Sequence, residues 1–527
     1  MGLTENNSAT FITTGNPPLD FFFHVVPTTP ASELTRLVQL SWAHDPLLTL
    51  KLICNLRAVR GTGKSDKGGF YTAALWLHQN HPKTLALNMG SISGFGYLKD
   101  MPEILFRILE GSDARERMVS QVDLLRRNMR RRMRVMGSSD DESGRSEEEK
   151  EKARVVRLHK KNERAKKILG LYNKDESFRV LYDSISDVFA GLLRKDIDFF
   201  QKGDLYKLGF SAKWCPTIDS TYDEVTLLCE SIARRLFPKE EDDEYKGMEE
   251  AHYAYKLYKS LFYKHDEERF KGYLEKVKSG KATIAAGALL PHEIIASLND
   301  ENGSEVAELQ WQRMLDDLAK KGKLSNCMAI CDVSGSMHGI PMKVSVALGL
   351  LISELSEKPW KRKLITFSHN PQFHTIKGNT LREKTGFIRR MEWGMNTDLQ
   401  KAFDRILEVA VSAKIPEEKM IKRLFIFSDM EFDQAAGRSH SWETDYQVIQ
   451  RKYKVSGYER VPEIVFWNLR HSKATPVPST QPGVALISGF SKNLVTLFLE
   501  EGGALNPEAV MLAAVDKPEY DQLVVYD

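Results

Sequence analysis

The rhythm of apolar and polar positions changes part-way along the chain. From Ala31 the apolar residues recur at helical spacing, as in Leu47, Leu50, Ile53 and Cys54 with Arg57 closing the run. Asp45-Pro46 supplies an N-cap followed by proline at the first helical position, so a helix is predicted from there. A second is predicted over 70–78, with Pro82 just beyond. Residues 301–325, which include Trp311-Gln-Arg-Met-Leu-Asp-Asp-Leu, read as a helix and a polar linker. Beyond them short, wholly apolar runs alternate with amphipathic ones. Strands are predicted at 326–331, 363–367, 424–428, 463–468 and 484–487, and helices at 342–356, 385–390, 399–412, 446–453 and 492–499. Such alternation gives a mostly parallel sheet covered on both faces, a doubly wound, Rossmann-like α/β domain.

The first 30 residues are polar and then proline-rich, with Phe21-Phe22-Phe23 set between prolines. They read as an extended arm whose aromatics pack onto the next domain, the first dozen reading equally well as a disordered leader. The expected organisation is an arm over 1–30, a helical domain over 31–320 with a charged insertion at 112–167, and the α/β domain over 321–527.

Composition narrows the class. A chain of 527 residues with 42% hydrophobic and 28% charged residues has room for several globular domains. A net charge of +3 over that length decides nothing about nucleic acid, so local clusters must. Five scattered cysteines, Cys54, Cys215, Cys229, Cys327 and Cys331, do not form a disulfide framework and point to a reducing compartment. Residues 1–17 lack a basic n-region, and no apolar stretch reaches the length of a membrane span. The expectation is an intracellular chain, cytoplasmic or nuclear, with no membrane partner.

Chemistry concentrates at Asp332-Val333-Ser334-Gly335-Ser336, directly after the first α/β strand. An Asp and two small hydroxyls spaced D-x-S-x-S form a set of hard oxygen donors suited to Mg²⁺, with Mn²⁺ or Ca²⁺ as alternatives. Asn396-Thr397-Asp398 opens a later helix, and the strand 423–428 runs into Asp429. Strand ends on one rim of a parallel sheet converge on one crevice, so Asp332, Ser334, Ser336, Thr397 and Asp429 can meet around one ion. Taken alone, D-x-S-G-S is also an ordinary turn sequence. Glu431 and Asp433 are further acids on the same rim.

This order, D-x-S-x-S then Thr then Asp, resembles the metal-ion-dependent adhesion site of von Willebrand factor A (vWA) domains. The resemblance implies serines and threonine on the metal, aspartates binding directly or through water, and one position open for a partner's carboxylate. The helical part resembles the TROVE module, a HEAT-like ring of paired helices found in the Ro-type RNA-binding autoantigen, through the basic loop Arg60-Gly-Thr-Gly-Lys64-Ser and Gly94-Phe-Gly-Tyr97. With Tyr182-Asp-Ser-Ile-Ser186, Phe210-Ser-Ala-Lys-Trp214-Cys-Pro and Lys281-Ala-Thr-Ile-Ala-Ala-Gly-Ala-Leu-Leu-Pro-His292-Glu, the chain is similar to an uncharacterised plant and fungal family joining a TROVE-like domain to a vWA domain. Against that family's pattern, the connection around 240–252 is short.

Other patches test competing chemistries. Arg126, Arg127, Arg130, Arg131, Arg132 and Arg134, with Arg57, Arg60 and Lys64, are candidate contacts to RNA phosphates. The bland alternative for the insertion is a solvated hairpin whose acidic half pairs with its basic half. Gly63-Lys64-Ser65 ends like a phosphate-cradling loop, but Ala58 stands where that loop needs glycine, so no nucleotide cofactor is expected. His292-Glu-Ile-Ile-Ala296 lacks the second histidine of a zinc-protease helix. No nucleophile with an activating base is evident. The sequence therefore reads as a non-enzymatic, divalent-cation-dependent binding protein, either an RNA-binding or ribonucleoprotein scaffold or an adapter for an acidic protein ligand. The competing class is a Mg²⁺-dependent phosphoesterase.

Overall fold

A computed structural model describes residues 2–120, 147–218, 220–237, 267–282, 284, 286–299, 303–366, 371–391, 398–412, 414–417, 420–432, 445–499 and 505–527. The chain forms two compact units, Met1–Phe70 with Lys259–Leu523, and Tyr71–Tyr258 with Val524–Asp527. The first unit joins the N-terminal 70 residues to the α/β sheet region.

Among the described residues the first unit holds a two-stranded ribbon, β1 (Gly2–Leu3) and β2 (Ala9–Thr10), and a six-stranded mixed sheet. The sheet strands are β3 (Cys327–Cys331), β4 (Lys363–Thr366), β5 (Phe373–Thr375), β6 (Arg423–Ser428), β7 (Glu463–Asn468) and β8 (Val484–Ser488), in spatial order β5-β4-β3-β6-β7-β8. All neighbours run parallel except β5 against β4. Every residue of β3 and β8 is buried, as are all but the first of β6 and β7, which requires cover on both faces. The Ile340–Leu355 helix packs on β3 and β6, and the Pro507–Val515 helix on β8. The order reverses direction between β3 and β6, creating a switch point at their carboxyl ends.

The expected extended arm is a helix, Pro17–His24. Asn16 caps it through Leu19 N, and Pro17 occupies the first turn, where a missing N–H costs nothing. Phe21, Phe22 and Phe23 are buried in the first unit. The predicted Pro46–Arg57 helix is present, with Asp45 accepting from Leu48 N at 2.9 Å.

Close packing of the Ile340–Leu355 helix on β3 depends on Gly349, where an added Cβ would collide with Cys331 Sγ. Both residues lie in the core beneath the switch point. Gly349→Ala is therefore expected to cost about 1–3 kcal/mol by overpacking, and Cys331→Ala in the same chain to recover most of it. Urea melts of the two single variants and the double variant measure this coupling.

In the second unit the Glu176–Gln201 helix buries Phe178, Leu181, Tyr182, Ile185 and Phe189, the 3–4 spacing of one helical stripe, with Asp175 as its cap. The Asp527 side chain accepts from Lys83 N and Thr84 N at 2.9 Å each, capping the Pro82–Leu87 helix. The Glu147–Lys174 helix takes in the acidic part of the charged insertion and continues beyond residue 167.

Candidate metal centre at the sheet switch point

β3 ends at Cys331, and the chain turns through Asp332 to Ser334 into a short 3₁₀ turn, Gly335–Met337, that carries Ser336. Asp332 is fully buried. Its Oδ1 accepts from Ser334 N at 2.9 Å and its Oδ2 from Ser428 Oγ at 2.6 Å, so the turn and the end of β6 are both fixed on one carboxylate. Ser334 Oγ lies 3.0 Å from Ser336 Oγ, with Ser334 buried and Ser336 exposed. The two hydroxyls are within hydrogen-bonding distance of each other, and either can be the donor.

β6 delivers the second carboxylate. Asp429 is fully buried just past Ser428, and its Oδ1 accepts from Glu431 N at 3.1 Å. Met430 between them holds the left-handed conformation, φ 66°, which a non-glycine side chain adopts at a cost. Arg470, just past β7, reaches Asp429 Oδ2 at 3.5 Å, long for an ion pair. Burial first, and then the neighbouring charge of Asp429, push the Asp332 carboxyl up to about 6. The crevice thus gathers more negative charge than its protein partners neutralise.

Glu431 is taken up elsewhere. Its Oε1 accepts from Ser472 Oγ at 2.5 Å and its Oε2 from Glu5 N at 2.6 Å, while Asn6 Nδ2 donates to Glu431 O at 2.7 Å. Burial raises its pKa, and the hydrogen bonds from Ser472 Oγ and Glu5 N partly offset the rise. Thr397 and Asp433 lie outside the described residues, as do Arg126, Arg127, Arg130, Arg131, Arg132 and Arg134.

The structure thus brings together Asp332, Ser334, Ser336 and Asp429. It also adds Ser428 and Arg470, which the sequence reading passed over although both sit at carboxyl ends of neighbouring strands, where the rim rule points.

Two of the candidate phosphate contacts need correction. Lys64 is 2% exposed and Arg57 3%, so neither meets a nucleic-acid backbone; Arg60 is exposed. Lys64 Nζ donates to Phe22 O, to Val25 O at 3.3 Å and to Ser488 Oγ at 2.7 Å, pinning the Pro17–His24 helix to β8. The amides of the glycine-containing loop also turn inward: Gly63 N donates to Arg60 O, Lys64 N to Asn55 O and Ser65 N to Ala58 O, all at 3.0–3.1 Å. They finish the preceding helix and are not directed at a phosphate. Glu293 likewise caps its own helix, reaching back to Leu290 N at 3.3 Å.

Comparison with known proteins places the chain. Residues 4–258 and 253–324 match a family described as a domain of unknown function (DUF2828). The chain belongs to the DUF2828 family. Residues 326–522 of this DUF2828 chain, the segment carrying the crevice, match a second domain of unknown function (DUF7788). Over 532 aligned residues the chain is 26% identical to the uncharacterized protein L728 of Acanthamoeba polyphaga mimivirus, covering 98% of itself and 87% of the relative. Among solved structures it aligns with the crystal structure of the Deinococcus radiodurans Ro (RSR) protein over 95% of each chain, at 16% identity and a TM-score of 0.33. No helix among the described residues is long and apolar enough to cross a membrane.

Proposed function

We propose that the crevice at the β3–β6 switch point binds a divalent cation, Mg²⁺ by its donor chemistry, and that the chain is a binding protein whose partner supplies an anionic group to that ion. The observation carrying this reading is the pair of fully buried carboxylates, Asp332 and Asp429, at the ends of adjacent parallel strands beside two hydroxyls 3.0 Å apart. The donors are all hard oxygens, which fits Mg²⁺, Mn²⁺ or Ca²⁺ rather than a thiolate- or imidazole-seeking metal. Bound there, a cation would supply positive charge that attracts a carboxylate or phosphate. Asp332, Ser334, Ser336 and Asp429 would hold it, with Thr397 as a further ligand in the vWA reading of this domain.

Among the described residues, Glu431 is the acid just past Asp429 on this rim, and recognition is favoured over hydrolysis because both its oxygens are engaged by Ser472 and Glu5. An acidic protein ligand fits the same chemistry, since an Asp or Glu carboxylate would offer such a cation a hard oxygen donor.

The test is titration of EDTA-stripped protein with Mn²⁺, followed by electron paramagnetic resonance, with Mg²⁺ as competitor. One saturable site displaced by Mg²⁺ is expected, with affinity lowered at least about 100-fold in Asp332→Ala and about tenfold in Ser334→Ala/Ser336→Ala. Equal Mn²⁺ binding by wild type and Asp332→Ala would refute the site.

A further inference from the structure

The loop that carries Asp429 is held by a segment far from it in sequence. Its residue Met430, at φ 66°, keeps a left-handed conformation that a non-glycine side chain retains only where the surroundings over-determine it. Part of that support comes from residues 4–6, at the tip of the β1–β2 ribbon. Thr4 Oγ1 donates to Phe432 O at 2.8 Å, Asn6 Nδ2 to Glu431 O at 2.7 Å and Glu5 N to Glu431 Oε2 at 2.6 Å. The three donors meet two consecutive loop residues, both of them buried.

The same ribbon grips the neighbouring part of the rim. Phe11 N donates to Thr475 O at 3.0 Å and Thr475 N to Phe11 O at 2.9 Å, while Thr10 Oγ1 donates to Thr475 O at 3.0 Å. Residues 470–475 return in turn to the Asp429 loop, Ser472 Oγ donating to Glu431 Oε1 at 2.5 Å and Arg470 Nη1 reaching Asp429 Oδ2 at 3.5 Å. With Glu431 N on Asp429 Oδ1 at 3.1 Å, both oxygens of this crevice carboxylate are contacted by segments that the ribbon holds. Glu431 is the joint, its amide on Asp429 and its carboxylate on Glu5 and Ser472.

The ribbon depends on such contacts. Its ladder is two residue pairs, Gly2 with Thr10 and Leu3 with Ala9, and a hairpin that short does not persist by itself in water. Glu5, Asn6 and Asn7 at its tip are exposed. A segment of this kind is ordered by the surface it docks on and opens at lower cost than the buried strands beside it.

We infer, resting on the cation reading of the crevice, that residues 2–11 form a detachable strap that sets the crevice's affinity for its cation, with Glu431 as the positioning residue. Docked, the strap holds the loop in the conformation that presents Asp429 to the crevice. Undocked, it leaves the loop free to relax Met430 and carry Asp429 away. Such coupling is reciprocal, so a cation in the crevice also tightens the strap.

The experiment pairs Mn²⁺ titration followed by electron paramagnetic resonance with hydrogen–deuterium exchange, both on the full chain. Thr4→Ala/Asn6→Ala removes two of the three tip donors, and Glu431→Ala removes the acceptor of the third. Each is expected to weaken Mn²⁺ binding about tenfold. Glu431→Gln keeps an oxygen for Glu5 N and offers its amide to Ser472 Oγ, which accepts as well as donates, so it should bind within about threefold of wild type. In wild type, saturating Mg²⁺ should slow exchange over residues 2–11 by the same factor of about ten, and in Asp332→Ala it should not. Circular dichroism melts show whether each variant folds, and the wild-type exchange measurement needs no change to the strap or to Glu431. Equal Mn²⁺ affinity in wild type and all three variants, or strap exchange indifferent to Mg²⁺ in a wild type that binds Mn²⁺, would overturn the strap and leave the cation reading intact. Binding as weak in Glu431→Gln as in Glu431→Ala would overturn the positioning role, because the charge of Glu431 rather than its hydrogen bonds would then set the affinity. A wild type that binds no Mn²⁺ would overturn both the strap and the cation site.

Discussion

Asp332→Asn should stabilise the protein in EDTA and destabilise it, relative to wild type, in Mg²⁺. The first half follows from burial. In the folded chain the Asp332 carboxyl is raised from 3.8 to about 6, because ionisation in a buried crevice beside Asp429 is unfavourable. A group whose folded pKa lies above its unfolded value contributes stability that is fully present below the unfolded pKa and is lost as pH rises through the folded one. The window is thus from about pH 4 to somewhat above pH 6, and the loss on crossing it is on the order of 3 kcal/mol. Asparagine has the same shape, still accepts from Ser334 N, and carries no charge, so the metal-free variant should not show this fall. The second half follows from linkage: a cation that binds only the folded wild type adds about 2.7 kcal/mol at 100 times its dissociation constant, and the variant forgoes it. Thermal melts at pH 5 and pH 7.5, each in EDTA and in Mg²⁺, give the comparison. The stability order of the two proteins should reverse on adding Mg²⁺ at pH 7.5, and the EDTA gap should shrink at pH 5. A wild type that gains nothing from Mg²⁺ would remove the cation from the account of this crevice.

That crevice was legible in the sequence to the extent that strand ends were. The apolar runs inside β3, β6, β7 and β8 are unmistakable because buried parallel strands need both faces apolar, and once they are placed the acids following β3 and β6 fall on one rim. β5, Phe373–Thr375, is short, half-exposed and at an edge, so it leaves no such run. Two helix starts did carry signals that were passed over: Thr380 with Glu383 is a capping box for Leu381–Arg389, and Asn506-Pro507 opens Pro507–Val515 as Asn16-Pro17 opens Pro17–His24.

Lys64 was beyond reach for a different reason. A basic residue beside glycines reads as a surface cation, and its burial depends on acceptors 42 and 424 residues away in sequence, Phe22 O and Ser488 Oγ. Local pattern encodes which residues face inward along one element, not which carbonyls of another will meet a charged head.

The largest single loss of stability is expected from Glu354→Ala. Glu354 lies on the Ile340–Leu355 helix, 9% exposed, with Oε1 accepting from Lys384 Nζ at 2.5 Å and Oε2 from Trp311 Nε1 at 2.7 Å. One carboxylate therefore joins three helices of the first unit, Gly303–Ala319, Ile340–Leu355 and Leu381–Arg389. Its two side chains' worth of solvation is given up on folding, and the ion pair offsets that cost only while both charges are present. Truncating Glu354 leaves the Lys384 ammonium buried with no counter-charge and the Trp311 N–H without its acceptor, a loss of about 3–5 kcal/mol. Removing both charges with similar volume, as in Glu354→Leu/Lys384→Met, takes away the desolvation cost along with the attraction and should recover most of the loss, the Trp311 N–H remaining as a deficit of about 1 kcal/mol. Urea unfolding followed by tryptophan fluorescence separates the two: a double variant as unstable as Glu354→Ala would mean that the site depends on the attraction itself, and a single variant within about 1 kcal/mol of wild type would mean that Lys384 escapes to water when its partner is removed.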